Sequence, residues 1–490
     1  HVSQVDVGLY VEDDWRIRPN ISLSYGMRFE SQNNISNHAD WAPRLGFAWG
    51  LGGGGKAAPK TVLRAGFGIF YDRFQTSYVL QQERLSGVNL AEYVVPNPDF
   101  FNPNPSTPPL LTPTPTSLLT MYRPNSNLHA PYIAQTAVSL ERQINKVTNL
   151  TVSYLNSVGN DQFLTNNVNA PTNPNDFYPY YLNPAAAVRP IANENIYQYQ
   201  SNAIFRQNQL FVQSRIMAGS RLTLFAYYVL NYAKSDTSGA NSFPSNPFNI
   251  MQDYGRASFD ARNRFFLGGS IALPWGLRLS PFMIASSGSP YNVTLSQDLI
   301  GSSQLNQRPS FSSASVGGPI VTVPGFATYN TVPGVNVTPI PINDNTAPSR
   351  FALNLRLAKT FSFGPETKGA NAGGGPGGGG PGGGGRGGGG GGGGGRGGGG
   401  GGMNPFGGGV SLGGSGSSKR YGVTLSVNAR NVFNDVNLLN PSAVLNPPQT
   451  PTGEASFNNR FFGVSNQLAG GPFSSGAANR QVYLQASFSF

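Results

Sequence analysis

The sequence lacks cysteine altogether and holds only three histidines, His1, His38 and His129, in 490 residues. Without cysteine there are no disulfides, thiolate zinc sites, iron–sulfur clusters or cysteine nucleophiles. Because the three histidines are far apart in the sequence, no histidine-rich metal site and no cofactor are expected. The sequence also lacks the run of about 18 apolar residues that a membrane-spanning helix requires.

Charged residues are scarce too, at 11% of the chain against roughly 25% in ordinary globular proteins. The 33 Lys and Arg outnumber the 22 Asp and Glu, which gives a formal net charge of +11. A basic surplus suits nucleic acid, an anionic membrane surface or an acidic ligand. The basic residues are spread singly and do not form runs, so a nucleic-acid partner is not predicted.

What the sequence does contain is a strict alternation of apolar and polar residues. It is clearest in the segments 21–30, 222–230, 351–358 and 421–430. Period-two alternation places the two sets of residues on opposite faces of a β-strand. These four segments run for eight to ten residues. Strands of soluble proteins average about 5–6 residues, whereas a tilted strand that crosses a bilayer needs roughly 9–11.

Two architectures fit such alternation. A soluble β-sandwich buries the apolar face, whereas an outer-membrane barrel turns it to lipid and turns the polar face to the lumen. The length of the strands favours an all-β, antiparallel transmembrane β-barrel. In that barrel Arg28, Arg356 and Arg430, which lie between apolar residues, face the lumen.

Thirteen candidate strands alternate with short and long connections. The strands are predicted near 5–15, 20–30, 43–50, 60–71, 131–142, 146–157, 203–216, 220–232, 262–273, 275–287, 350–362, 418–431 and 479–490. The long loops, 72–130, 158–202, 233–261, 288–349 and 432–478, all fall at one end, as the extracellular loops of outer-membrane barrels do.

The connection 363–417 belongs to the opposite, periplasmic end of the predicted barrel. It contains the tract 373–402, in which 26 of 30 residues are Gly, and such a composition predicts a disordered turn. Thirteen strands cannot close a bacterial barrel, because these barrels have even strand numbers. We therefore expect that the first strands of the barrel precede this sequence.

The long loops carry the candidate ligand-binding residues. Aromatic side chains stack on sugars and similar ligands, and the loops contain two aromatic groups: Phe177, Tyr178, Tyr180 and Tyr181, followed by Tyr197 and Tyr199. The alternative is that these rings pack a loop over the barrel mouth or lie in the interfacial girdle, as Trp15, Trp41, Trp49 and Trp275 near strand ends do.

Several segments resemble one family. Val7–Trp15 followed by Leu23–Glu30 resembles paired strands of TonB-dependent outer-membrane receptors, most closely those of the Oar-like group. Further similar segments are Ala42–Trp49, Arg64–Asp72, Ser287–Val293 with Arg308 and Pro309, and Asn428–Asn434. Barrels of this family have 22 strands around a plug that contacts TonB. The resemblance implies that residues 1–490 are the C-terminal part of such a barrel, without its plug and about nine strands.

The C-terminal strand resembles the signal that the barrel-assembly machinery reads. It alternates and ends in Phe, and the residues that carry the resemblance are Val482, Leu484, Phe488 and Phe490. The resemblance implies a non-enzymatic receptor in the outer membrane of a Gram-negative-type bacterium, in contact with lipid and lipopolysaccharide. Such a receptor passes a small molecule, glycan, peptide or protein with energy delivered by TonB. A passive porin-like channel and a secreted or surface β-rich adhesin remain alternatives.

Overall fold

The computed structural model describes residues 1–52, 59–94, 117–171, 188–312, 319–332, 337–366, 419–446, 461–473 and 478–490. Thirteen long strands form one sheet in this part of the chain. They are β1 (Asp6–Arg18), β2 (Ile21–Gln32), β3 (Asp40–Leu51), β4 (Thr61–Tyr71), β5 (Tyr132–Gln143), β6 (Thr148–Asn167), β7 (Glu194–Ala218), β8 (Leu222–Ser235), β9 (Asn263–Ala272), β10 (Leu277–Ser286), β11 (Arg350–Glu366), β12 (Lys419–Arg430) and β13 (Gln481–Ser489).

Each long strand pairs antiparallel with the next one in the sequence, so the order along the sheet is the order along the chain. The predicted number and sequence of strands is confirmed. Among the described residues, β1 pairs only with β2 and β13 only with β12, so the sheet has two free edges. Every residue of both edge strands is exposed.

This order places every second connection at the same end of the sheet. The connections after β2, β4, β6, β8, β10 and β12 lie at one end and include all of the predicted long loops. Those after β1, β5, β7 and β9 lie at the other end and are tight turns. The described strand ends that flank the predicted Gly-rich turn, Glu366 of β11 and Lys419 of β12, pair with each other at this second end. The first residues of the turn are part of β11, and from residue 367 to 418 it lies outside the described residues.

The strands β6 and β7 are much longer than the alternation predicts. Residues 158–167 and 194–202, which are predicted as loop, continue the two strands and pair with each other. The register shifts between Gly159, Gln162 and Leu164 interrupt the alternation. Such bulges hide a continuing strand from a pattern of period two. The extension of β7 also pairs in parallel with a short strand, Leu118–Pro124.

The register divides the sheet into an apolar and a polar face. On the apolar face Leu210 lies opposite Leu230, and on the polar face Gln209 lies opposite Asn231. Large side chains of the apolar face are exposed, among them Leu9, Val11, Met27, Leu45, Val138, Leu140, Val152, Leu425, Val427, Leu484 and Phe488. Polar-face residues such as Ser157, Asn231, Asn354, Ser426 and Asn428 are buried. A soluble sandwich has the reverse arrangement, because it buries its apolar face.

Tryptophans mark the two ends of the apolar face. Trp41 and Trp49 lie on this face at opposite ends of β3, paired with Phe29 and Ile21. Trp15 is on the same face near the end of β1, opposite Leu23. These positions match the aromatic girdles that flank the apolar band of an outer-membrane barrel.

The described parts of the long loops are folded. They contain one α-helix, Thr76–Arg84, the 3-10 turn Ile250–Asp253 and several short strand pairs. Two buried hydrophobic clusters hold them together: the first comes from the loops after β10 and β12, and the second from the loops after β2, β4 and β8 with the extensions of β6 and β7. None of the described helices is long and apolar enough to cross a membrane.

Candidate functional site

The extracellular loops meet at an aromatic cluster formed by Phe74, Tyr78, Tyr122, Phe163 and Tyr199. Tyr199 lies at its centre and is 0% exposed. Its ring centroid is 5.4 Å from that of Phe74 and 5.5 Å from that of Tyr78, and its hydroxyl donates a 2.8 Å hydrogen bond to Oε1 of Gln81. The cluster therefore joins the loop after β4 to the extensions of β6 and β7.

Tyr122 is the member that links the aromatic cluster to Tyr197. Their ring centroids are 5.2 Å apart in an edge-to-face arrangement. Burial raises the pKa of Tyr122 to about 12, and the neighbouring Tyr197 and Glu92 add to the increase. Tyr197 also packs on Phe243 at 4.8 Å and accepts a hydrogen bond from Nε2 of Gln304.

Two of the predicted ligand-binding aromatics are therefore packing residues in this structure. Tyr197 is 4% exposed and Tyr199 is fully buried, so both rings pack the loops together. This is the arrangement that the alternative interpretation of these residues describes. The other four, Phe177, Tyr178, Tyr180 and Tyr181, lie outside the described residues. Ligand binding by these six aromatics stays a prediction.

A polar network lies beside the aromatic cluster and ties the loop after β10 to β6 and β7. Nδ2 of Asn167 donates to Oδ1 of Asn195 at 3.0 Å and to the carbonyl of Ser302 at 2.9 Å. Nδ2 of Asn195 donates to Oγ of Ser303 at 2.9 Å. Because buried amide side chains are costly unless their hydrogen bonds are made, this network fixes one arrangement of the loops.

Asp298 shapes the turn that carries Ser302 and Ser303. Its carboxylate accepts backbone N–H bonds from Ser302 at 3.1 Å and from Ser303 at 2.6 Å. Burial raises the pKa of Asp298 above its ordinary value, and the backbone N–H donors offset part of that increase. Both carboxylate oxygens of Asp298 therefore accept hydrogen bonds from the backbone of the same turn. No group of three or more His, Cys, Asp or Glu in the described ranges is placed to hold a metal ion.

A buried ion pair joins two further loops. Arg308, in the loop after β10, pairs with Asp253, in the loop after β8, and their side chains are 1% and 5% exposed. Nε of Arg308 also donates to the carbonyl of Ile340, at 2.9 Å. Asp253 accepts from the backbone N–H of Ser245, at 2.6 Å. Every charged group of the pair thus has additional hydrogen bonds, which a buried ion pair needs in order to be tolerated.

The polar face below the loops is rich in arginine. The register places the three predicted lumen residues, Arg28, Arg356 and Arg430, on this face. Arg28 is paired with Glu30 at 2.6 Å, and Arg430 lies 5.0 Å from the ring centroid of Tyr483. The fully described strands β7–β10 add Arg215, Arg264 and Arg278 to the polar face and carry no Asp or Glu on it.

The polar face also carries an aromatic strip that the alternation does not predict. Tyr227 of β8 stacks on Phe211 of β7 at 5.4 Å and on Phe266 of β9 at 5.1 Å. Phe282 of β10 continues the strip edge-to-face, 5.3 Å from Phe266. The signal in the sequence is that β7–β10 have aromatic residues at positions where the other strands have small polar ones. The strip gives this part of the polar face an aromatic surface.

A family model described as an outer membrane beta barrel domain matches residues 34–370. Among solved structures, the outer membrane transporter YddB from Escherichia coli is similar, with a TM-score of 0.50 and 13% identity over 99% of this chain. The siderophore receptor PirA from Acinetobacter baumannii has a TM-score of 0.50 and 10% identity over 100% of this chain. The chain covers 45% and 46% of those two proteins. No curated protein matches the sequence.

Proposed function

Because the chain belongs to the outer membrane beta barrel domain family and lies in the Gram-negative outer membrane, we propose that the full-length protein is an energy-coupled receptor. In this proposal it binds a ligand at the cell surface and passes it across the outer membrane with energy delivered by TonB. No catalytic role is proposed.

The observation that carries the proposal is the packing of the extracellular loops. The aromatic cluster, the Asn167–Asn195 network and the Arg308–Asp253 ion pair connect the loops after β4, β6, β8 and β10. Loops that are buried against each other form a fixed surface over the polar face. Such a surface suits recognition of one ligand, whereas a passive pore needs an open path for water and small solutes.

The charge of the polar face supports an anionic ligand. Arg215, Arg264 and Arg278 have no carboxylate beside them on the polar face of β7–β10, and Arg356 on β11 is exposed. A wall lined by one sign of charge raises the local concentration of ligands of the opposite sign. Arginine is also suited to bind carboxylates and phosphates through two parallel hydrogen bonds.

Energy coupling and membership of the Oar-like group rest on the sequence resemblance. The segments Val7–Trp15 and Leu23–Glu30, and the alternating strand that ends at Phe490, support them. The similarity to a siderophore receptor makes ferric siderophores the first ligand class to test. The alternative is a passive porin-like channel, which has the same alternating strands.

Swelling of liposomes that contain the purified full-length protein separates these functions. We expect no swelling in isotonic arabinose or stachyose, because a gated receptor is closed to small neutral sugars. An open porin in parallel liposomes serves as the control that swells. Swelling at a rate similar to that of the porin contradicts a gated receptor and supports the passive channel.

Uptake into cells tests energy coupling. Cells that express the full-length protein are supplied with a panel of radiolabelled ferric siderophores, with and without a protonophore. We expect accumulation of at least one of them, and we expect the protonophore to abolish it. Accumulation that persists without the proton gradient contradicts energy coupling.

A further inference from the structure

Three basic residues lie in a row on the apolar face, at the extracellular end of β8 and at the position of β7 that faces it. Arg206 of β7 is directly opposite Lys234 of β8, and Lys234 is directly opposite Arg256 of a two-residue strand. Like charges in directly opposite positions of a sheet are destabilising. The row therefore needs negative charge close to it.

The protein supplies only part of that charge. Asp260, whose side chain is fully buried, pairs with Arg256 at 3.3 Å and with Arg262 at 2.9 Å. Arg206 donates to the carbonyl of Gly159 and to Oδ1 of Asn160, both neutral acceptors. Lys234 is exposed, and its side-chain ammonium makes neither a hydrogen bond nor an ion pair with any described residue.

A further carboxylate, that of Asp236, follows two residues after Lys234 and makes no ion pair with a described residue. It is 5% exposed, and its Oδ1 accepts the N–H of Ile204 at 2.8 Å. Counting Asp236 with Asp260, two carboxylates face the four cations Arg206, Lys234, Arg256 and Arg262. Two positive charges are thus not neutralised by the protein. Arg206 and Lys234 are the two cations that form no ion pair with a described residue.

The position of the row along β8 places it at the outer surface of the membrane. The apolar face of β8 runs from Leu222 at the turn end to Tyr232, ten residues on. At about 3.4 Å per residue and a tilt of about 40°, this is about 26 Å along the membrane normal, the height of an apolar band. Lys234 follows Tyr232 on the same face, at the level of the lipid headgroups.

Tyr232, the aromatic residue at this boundary, contacts a cation. Tyr232 is 48% exposed, and the guanidinium carbon of Arg262 lies 4.1 Å from its ring centroid. An aromatic ring capped by a cation marks the boundary between the apolar band and the headgroups. The side of the row that faces away from the protein therefore faces lipid.

We propose that Arg206 and Lys234, with Arg256 beside them, bind the phosphate of a phosphorylated glycolipid in the outer leaflet. Arginine and lysine are the residues best suited to phosphate, and a phosphate dianion neutralises the two unpaired charges. The acyl chains lie along the apolar face below Tyr232. The lipid is thus a structural partner of the barrel wall, separate from any ligand that passes through the lumen.

Binding of lipopolysaccharide to the full-length protein in detergent tests this proposal. The test variant is Lys234→Gln, and the matched control is Lys359→Gln. Lys359 is also on the apolar face but lies opposite Leu277, at the turn end of the sheet. We expect Lys234→Gln to weaken binding about fivefold, the effect of one surface cation on an anionic lipid, and the control to leave it unchanged. Equal binding by wild type and Lys234→Gln overturns the proposal.

Two further arms identify the chemistry and its source. Dephosphorylated lipopolysaccharide should bind the wild type and the Lys234→Gln variant with equal affinity, since the phosphate is the group that Lys234 binds. Inorganic phosphate alone should not displace the lipid at millimolar concentration, because the apolar face contributes to binding. Displacement by inorganic phosphate, or undiminished binding of dephosphorylated lipid, contradicts a lipid phosphate site. Adding Arg206→Gln to Lys234→Gln should weaken binding further, and heat-modifiability gels check that each variant is folded.

Discussion

Arg308 and Asp253 form a buried ion pair between two loops that are separated by two strands of the sheet. Arg308 holds the carbonyl of Gln252 as well, at 2.8 Å, so one side chain binds both a charge and the backbone of the facing loop. The extracellular loops are consequently held together by buried polar contacts as well as by the aromatic cluster.

Replacing Arg308 with Gln should destabilise the packing of the loop after β8 against the loop after β10. The variant leaves Asp253 buried without its counter-ion, a change that typically costs about 3–5 kcal/mol. We expect faster amide exchange and faster proteolysis in residues 236–262, with the strands unchanged. Hydrogen exchange of the full-length protein, followed by mass spectrometry, measures this. Arg123→Gln, which removes an exposed arginine from another loop, is the control.

Asp253→Leu combined with Arg308→Met separates the charge effect from the packing effect. Replacing both members of a buried ion pair by apolar residues is often neutral. We therefore expect the double variant to be better protected than either single variant. If the single variants exchange like wild type, the ion pair does not hold the loops.

Tyr199 should contribute to loop stability mainly through its ring. Tyr199→Phe removes the hydrogen bond to Gln81 and should cost about 1 kcal/mol. Tyr199→Ala leaves a cavity among Phe74, Tyr78 and Phe163 and should cost about 3–5 kcal/mol. Exchange protection of the helix Thr76–Arg84 reports both effects. Equal loss in the two variants contradicts an aromatic cluster as the centre of the loop packing.

The strands were predictable from the sequence because each one obeys a single local rule. The alternation from Ile21 to Phe29, for example, arises because one face meets lipid along the whole height of the bilayer. The same rule fails where β6 and β7 rise above the membrane. There both faces of the strands meet protein or water. The bulges near Gly159 interrupt the alternation of apolar and polar residues. Buried polar residues such as Asn167 also stand where apolar residues would otherwise be expected.

The candidate site was less predictable, because its contacts join residues that are distant in sequence. Nothing near Arg308 indicates that it pairs with Asp253, and nothing near Tyr199 indicates that it packs on Phe74. The composition of the loops predicted aromatic residues at the extracellular end but not whether they face a ligand or each other. The face of the sheet on which Arg28, Arg356 and Arg430 lie follows from strand register, and that this face lines a lumen stays a prediction.

A charge on the apolar face should destabilise the barrel far more than the same charge on the polar face. Val152 is exposed on the apolar face of β6, opposite Val212, and its neighbour Thr151 is on the polar face. Val152→Arg should cost about 2–4 kcal/mol, and Thr151→Arg should cost much less. Urea unfolding of the full-length protein in lipid vesicles gives both values. Equal costs would mean that the two faces do not differ in environment.

Removing Phe490 should impair assembly of the full-length protein. Phe490 is 93% exposed and stacks on Phe488 at 6.2 Å, so its deletion leaves the sheet of the folded protein intact. The expected result is a lower fraction of heat-modifiable protein in outer membranes, with normal refolding into detergent. Phe488→Leu, which keeps an apolar residue in the strand, is the comparison variant. Unchanged assembly after the deletion argues against a C-terminal assembly signal.

The orientation of the two faces of β7 is the central claim, and spin labelling tests it directly. Because residues 1–490 contain no cysteine, each single-cysteine variant carries one label within this part of the protein. Labels are placed on the full-length protein in lipid at the apolar-face positions Leu210, Val212, Ser214 and Ile216 and at the polar-face positions Gln209, Phe211, Gln213 and Arg215. We predict high accessibility to oxygen, which concentrates in lipid, at the first four and low accessibility at the second four. A profile that does not alternate, or that alternates with the opposite phase, contradicts an outer-membrane barrel with its apolar face in lipid.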